Sequence, residues 1–402
     1  MKKIVIIGGG YGGLRAAEIL SKTKDVEILV IDKNLYHYLQ TEVYGFIAGK
    51  YNFDEITIDI EHWSMGFTNV DYLQANILKV EEKENYIVAE NGDKIDFDYL
   101  IVAAGALTHI NRSIIGLREH CFGVKKLNSA YDFRREVETL IYSKLQGTDA
   151  DSSKSGTCNI VIGGAGLSGV EIAAELGYVL RKYGKVSGKN IQNIQIYLLN
   201  RSKTILPGMS DFLISRSTKR LEKLGVHLYL NKEMKEVDDT HVYCSDGEKL
   251  PYKFIIFTGG IKAFGLNKHI DVPKNKINQF IVDEYLNIHN SQHIFAIGDC
   301  AEINNLSGEW LPPTAQVAEA CAAYVAKNIQ AQLNNKKPSK FDMKIHGMFV
   351  ALGGKYGAGE LFGLKVNGYI GYLFKRAITV FYNVGLHLHI NTGFKKRNHK
   401  ES

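Results

Sequence analysis

Residues 4–32 read IVIIGGGYGGLRAAEILSKTKDVEILVID, and the fold is decided there. A β-rich apolar run, Ile4 to Ile7, feeds a glycine cluster with G-x-G-x-x-G spacing at Gly8, Gly10 and Gly13. A helical segment follows, then a second apolar run from Val26 to Ile31 that ends in Asp32. Strand, glycine turn, helix, strand and acid in this order are the fingerprint of a dinucleotide-binding unit. Gly8 allows the tight turn, Gly10 lets a pyrophosphate approach the backbone, and Gly13 lets the helix pack close to the strand. The helix N-terminus offers free N–H groups and the positive end of its dipole to the phosphates. Asp32 can accept both hydroxyls of an unphosphorylated ribose. The plainer reading, a tight turn in an ordinary βα unit, explains the glycines but leaves the flanking strand and acid unexplained.

The pattern occurs twice. Asn159-Ile-Val-Ile-Gly163 leads into Gly164, Gly166 and Gly169, then a helix carrying Leu167, Glu171 and Glu175, then an apolar run over Ile194–Leu199. Two such units in one chain imply two dinucleotide sites, of which one can hold a tightly bound flavin and the other a nicotinamide that visits. The run Tyr99–Gly105 stops on small residues that permit a ligand to lie against the backbone, and Phe254–Gly260 mirrors it and should close the second domain. The fold class is therefore α/β with two Rossmann-like domains. We expect the first domain over 1–125 and 276–340, the second over 126–275, and a separate C-terminal region over 341–402. The Gly/Ser-rich stretch 147–157 is the expected linker.

The 402 residues suffice for two or three cores, and 45% hydrophobic with 23% charged residues is a globular composition. Five scattered cysteines (Cys121, Cys158, Cys244, Cys300, Cys321) without a C-x-x-C suggest a reducing compartment and no metal site. No signal peptide is expected, because the first strand starts almost at once. The net charge of +6 sits in the last stretch, where residues 340–402 hold ten Lys/Arg against three Asp/Glu. No nucleic-acid partner is expected.

Between the units, Asn34–Ile56 is dense in aromatics and reads as a covered loop packed on a ligand. Val70–Asn76 and Glu84–Glu90 read as strands, with Asn91-Gly92-Asp93 as a hairpin turn. Residues 126–146 read as a charged helix. After Pro313 a helix begins near Thr314, with Val317, Ala318, Cys321, Ala322, Val325 and Ile329 on one stripe. In the tail, 367–390 is too polar to span a membrane, since Lys375 and Arg376 interrupt it. Read as a helix it places Ile370, Leu373, Phe374, Ala377, Phe381, Val384 and Leu388 on one face, with Lys395-Lys396-Arg397 beyond. Such a stripe beside cations suits an interfacial anchor on anionic lipid, and the plainer readings are a dimer interface or a core-facing helix.

Over essentially its whole length the chain resembles the type II NADH:quinone oxidoreductases of the two-dinucleotide-domain flavoproteins. The resemblance is carried by GGGYGGLRAA at 8–17, DKNLYHYLQ at 32–40, DYLIVAAG at 98–105, GLREHCFGVK at 116–125, GGAGLSGVEIAAEL at 163–176, AIGDCA at 296–301 and PPTAQVA at 312–318. It implies FAD in the first site, NADH or NADPH in the second and quinone as acceptor. It also implies a homodimer lying peripherally on the cytoplasmic face of the cell membrane, a monotopic attachment.

The resemblance places Gly8, Gly10, Tyr11, Gly12 and Gly13 along the FAD pyrophosphate, Asp32 on the adenosine ribose and Lys33 at the rim beside it. Ile77, Ala104, Gly105, Ala315 and Val317 would also touch FAD, and Asp299 would bond the ribityl region. Gly164, Gly166, Leu167, Gly169, Asn200, Arg201 and Gly259 would hold the nicotinamide dinucleotide. Gln316 would sit at the flavin edge where quinone arrives, and Glu171, in the first turn of its helix, close to nicotinamide and flavin. Physical chemistry agrees on the helix from Thr314, whose N-terminus suits the negative charge that reduced flavin gains near N1 and the C2 carbonyl. For Glu171 the plainer role is helix-dipole stabilisation, and for Gln316 a surface amide.

The chain departs from the family pattern at Ala320 and Ala322, where Gln and Gly are usual, and at Thr41, where Pro is usual. Asn200 stands where an acid normally holds the NADH ribose, and Arg201 follows it. A sulfide:quinone oxidoreductase on this fold would need two cysteines facing each other across the flavin, a pair not evident here. A non-catalytic flavin-binding redox sensor is the third alternative.

Overall fold

In the computed structural model, which describes residues 1–146, 158–188, 191, 193–263, 266, 270–288 and 291–397, the opening strand Lys2–Ile7 is the middle of a five-stranded sheet. Its neighbours are Tyr99–Val102 on one side and Val26–Asp32 on the other, all parallel. The outer strands are Ile294–Ala296 and Val70–Gln74. Helices cover both faces of such a sheet, so Ile4, Val5 and Ile6 are fully buried and show no polar alternation. Each side chain of that size stabilises the fold by about 1.5–3 kcal/mol.

The second sheet repeats this arrangement. Ile160–Gly163 is central, with Phe254–Phe257 and Cys121–Gly123 on one side and Ile196–Asn200 and Val226–Leu230 on the other, all parallel. The strand Cys121–Gly123 precedes residue 125, so the second sheet begins inside the segment assigned above to the first domain. Each unit also carries a three-stranded antiparallel meander, Ile77–Glu81, Tyr86–Ala89 and Lys94–Asp96 in one, Met234–Val237, His241–Cys244 and Lys249–Pro251 in the other. The expected hairpin turn closes the first, with Gly92 at φ +87.

The helix Leu127–Gln146 and the helix Ala315–Leu333 form where expected, the latter capped by Thr314, whose Oγ1 accepts the Val317 N–H at 3.3 Å. All six residues of its apolar stripe are buried. The aromatic segment differs from the loop the sequence suggested. It holds a short strand, Tyr36–Tyr38, and a short helix, Val43–Ile47, every residue of which is buried. Those side chains pack into the core around the helices Leu127–Gln146 and Leu167–Ser187. Tertiary burial overrides a weak local pattern there.

A last antiparallel sheet, Gly347–Ala351, Gly357–Leu361 and Leu364–Asn367, leads into the tail helix Gly368–Arg397. Gly357 and Gly371 let sheet and helix backbones touch, since a Cβ on Gly371 would lie 2.5 Å from the Gly357 carbonyl oxygen. The expected linker at 147–157 and the side chains of the basic cluster at 395–397 lie outside the described residues.

Candidate functional site

The first cradle forms where the opening strand stops. Gly8 has φ +111, and a Cβ on it would lie 2.3 Å from the Ala103 carbonyl oxygen. A Cβ on Gly13 would lie 1.8 Å from the Gly8 carbonyl oxygen, so only glycine lets the helix Tyr11–Leu20 come this close. A Cβ on Gly10 would meet nothing within 4 Å, because Gly10 faces open space at the helix N-terminus. Beyond it lies a cavity of about 360 Å³, a size typical of cofactor sites. Gly8, Gly10, Asp32, Lys33, Ile77, Ala104 and Gly105 all line it. Asp32 Oδ2 accepts the Gly9 N–H at 2.8 Å, and its Oδ1 accepts from Asn34 N at 2.8 Å and Nδ2 at 3.0 Å. An open glycine turn, a helix N-terminus and a fixed carboxylate on one cavity fit an adenine dinucleotide such as FAD.

Other expected contacts stand outside that lining. Gly13 is the packing glycine, and a Cβ on Gly12 would press on the Ala318 carbonyl oxygen at 3.3 Å. Tyr11 bonds Thr41 through its hydroxyl at 2.8 Å, and its ring packs on His37 and Tyr382. Asp299 ion-pairs with Lys125, which does line the cavity, at 2.7 Å. Ala315, Gln316 and Val317 form the first turn of the helix capped by Thr314; Val317 is buried and Gln316 exposed.

The second cradle has the same construction. Gly164 has φ +104, and a Cβ there would lie 2.8 Å from Gly259. A Cβ on Gly169 would lie 1.9 Å from the Gly164 carbonyl oxygen, while Gly166 again faces open space. Leu167 is the first residue of the helix. Asn200 ends its strand as Asp32 does, but its Nδ2 donates to the Thr204 carbonyl at 2.8 Å, within its own loop. Arg201 is exposed beside it.

The family model of the pyridine nucleotide-disulphide oxidoreductases matches residues 2–322. The chain belongs to that family. It is similar to the type II NADH:quinone oxidoreductase of Staphylococcus aureus, with 28% identity over 374 residues, 91% of each chain. Among solved structures it resembles NDH2 from Plasmodium falciparum in complex with NADH, with TM-score 0.86 and 20% identity, covering 99% of this chain and 98% of that one. The sulfide:quinone oxidoreductase of Aquifex aeolicus superposes with TM-score 0.80 and 18% identity, covering 99% and 94%. At these identities the two solved structures share the fold.

This pyridine nucleotide-disulphide oxidoreductase also holds a buried charge cluster that sequence reading had only partly found. Glu171 is the fifth residue of the helix Leu167–Ser187, one turn further in than expected, and faces the interior. Its Oε1 accepts the Ala351 N–H at 2.9 Å and lies 3.0 Å from Lys375 Nζ. One turn on, Glu175 Oε1 accepts the Gly354 N–H at 3.1 Å, and its Oε2 lies 3.5 Å from Lys50 Nζ. Glu42, also buried, accepts the Thr379 hydroxyl at 2.7 Å. Burial pushes the Glu171 and Glu175 carboxyls up, and the neighbouring ammonium groups only partly offset this. Burial alone would lower the Lys375 ammonium, but Glu171 and Glu42 together hold it up. The signal for Lys375 was present: a cation interrupting an apolar helical run has a buried partner or a wet face.

The cysteines form no pair across the cavity. Cys300 and Cys321 belong to the first core, Cys158 to the second, Cys121 and Cys244 to a third cluster. Burial pushes the Cys300 and Cys321 thiols up to about 12, so neither is a thiolate near neutral pH. All five cysteines are free thiols.

Proposed function

We propose that the chain is a type II NADH:quinone oxidoreductase with FAD in the first cradle, NADH at the second and quinone as acceptor. The observation that carries this reading is the pair of glycine cradles in one chain, the first opening on the lined cavity. FAD, when bound, supplies a two-electron relay from hydride donor to quinone. The residues supply position and charge. Gly8, Gly10 and the N–H groups at the start of the helix Tyr11–Leu20 would hold the pyrophosphate, and Asp32 the ribose. Lys125, which lines the cavity, and Asp299 behind it fix each other as an ion pair. Gln316, exposed at the helix start, meets the quinone. Quinone reduction takes up protons, and the Glu171 carboxyl, which burial pushes up, is a buried group that can hold one. No step moves protons across a membrane.

The tail helix supports a membrane-surface enzyme by its reversed polarity. Lys375, Thr379 and Tyr382 point inward to Glu171, Glu42 and His37, while Ile370, Leu373, Phe374, Phe381, Val384 and Leu388 are exposed. No helix among the described residues is long and apolar enough to cross a membrane. We propose that the exposed strip lies on lipid at the cytoplasmic face of the cell membrane.

The test is direct. NADH added anaerobically to the purified flavoprotein bleaches the flavin, and a soluble quinone restores its colour. Absence of bleaching with NADH and NADPH alike sinks the proposal, and bleaching by sulfide alone transfers it to the sulfide:quinone class.

A further inference from the structure

The chain contains two copies of one cradle, so each serves as a control for the other at the position that reads the ribose. In the first copy Asp32 presents a carboxylate there, fixed by Gly9 and Asn34. A 2′-phosphate would meet that fixed negative charge. In the second copy the same strand end carries a neutral amide followed by Arg201, Ser202 and Lys203. The Asn200 side-chain nitrogen is committed to the Thr204 carbonyl, and its oxygen can accept a ribose hydroxyl.

The loop bearing these residues is fastened by its backbone. Lys232 N–H donates to the Asn200 carbonyl at 3.0 Å, Asn231 N–H to the Ser202 carbonyl at 3.1 Å, and Leu206 N–H to the Ala165 carbonyl of the glycine turn at 2.7 Å. Arg201 and Lys203 project from this pinned loop into solvent. The nearby acids are paired with lysines, Glu233 with Lys235 at 2.7 Å and Asp246 and Glu248 with Lys232, and Glu233 in addition feels the Arg201 charge. The loop therefore offers positive charge next to the ribose position of a glycine cradle whose Gly166 faces open space. A guanidinium fork matches a phosphate monoester, and an arginine at this place is the general means by which such folds accept a 2′-phosphate.

We infer that the second cradle is built to accept NADPH as well as NADH, with Arg201 as the residue that reads the 2′-phosphate and Asn200 as the neutral residue that tolerates it. This rests on the oxidoreductase reading above and deepens it by naming the nicotinamide class.

The experiment measures equilibrium binding of NADP⁺ and NAD⁺ to the oxidised, FAD-loaded full chain, alongside anaerobic bleaching by NADPH and NADH. In the unaltered protein NADP⁺ binds within about tenfold of NAD⁺, and added salt weakens NADP⁺ more than NAD⁺. Arg201→Ala weakens NADP⁺ by about tenfold or more while NAD⁺ changes by less than about threefold. Asn200→Asp, which restores the carboxylate, moves the preference toward NAD⁺ by a similar factor with Arg201 in place. Retained flavin colour verifies that each variant is folded. A preference for NAD⁺ of about a hundredfold in the unaltered protein, or equal losses for both ligands in Arg201→Ala, overturns the inference. Bleaching by NADH without NADP⁺ binding overturns it alone, whereas failure of both nicotinamides overturns the oxidoreductase reading with it.

Discussion

Lys375 brings a positive charge to a place where two carboxylates, Glu171 and Glu42, would otherwise be buried without a cation. Lys375→Met should cost about 3–5 kcal/mol, because it strands a buried charge. The double variant Glu171→Gln/Lys375→Met should recover part of that loss, measured by denaturant unfolding of the holoenzyme. If the two single losses simply add, the pair is not an energetic unit. Glu319 makes a prediction with pH. Burial raises its carboxyl from 4.5 to about 7, with Arg15 opposing and Glu18 reinforcing. The folded chain thus holds this proton more tightly than the unfolded one. Its contribution is full below about pH 4.5 and is lost as pH rises through about 7, a swing of about 3 kcal/mol. Glu319→Gln should accordingly be more stable than the unaltered chain at alkaline pH, with the difference vanishing in acid. The comparison between variants cancels His37, whose burial pushes it down to about 3 and which acts in the opposite sense over part of this range. Residues in the glycine turns were legible because their partners are local or set by spacing. Glu42 and Lys50 were not, and Lys375 was marked only as a cation interrupting an apolar run, because their partners lie far away in the chain and only packing brings them together.

The tail helix is the element whose sequence was read correctly in period and incompletely in direction. Its apolar stripe was visible as 3–4 spacing, but spacing alone does not say which face the fold will take. The inward polar face is fixed by partners that no local pattern announces: Thr379 to Glu42, Tyr382 to His37 at 2.9 Å, Lys375 to Glu171. Because Phe381 and Leu388 are 79% and 58% exposed, Phe381→Glu/Leu388→Glu should leave the unfolding midpoint nearly unchanged. The same variant should lose most of its cosedimentation with anionic vesicles. Unchanged sedimentation would show that the strip does not meet lipid, and a halved mass by light scattering would assign it to pairing of two copies. The short helix Val43–Ile47 was missed for the complementary reason. It is apolar on every side, so it has no period to read, and burial on all faces is what makes it helical.

At the scale of the molecule, the duplicated strand order was the most legible feature, since each copy announces itself by a run of apolar residues that stops on glycine. The cavity behind the first copy was less so, because it is completed by Lys125, Leu127 and Leu266 from distant segments. A ligand that fills such a cavity only in the native state raises stability by mass action. Removing FAD should therefore lower the melting temperature, and titrating it back to about a hundred times its dissociation constant should restore about 2.7 kcal/mol. A melting temperature indifferent to FAD would contradict the assignment of the first cradle. The two copies differ in one further respect, with an evolutionary consequence. Asp32 is at once a ligand-facing group and a strut of the glycine turn, through its bond to Gly9. Its replacement loosens the turn as well as altering selectivity, so the first copy resists change of cofactor by mutation. The Asn200 side chain braces only its own loop. Selection can retune that copy one substitution at a time while the flavin seat stays intact, and a lineage carrying this scaffold can switch its electron donor without rebuilding its engine.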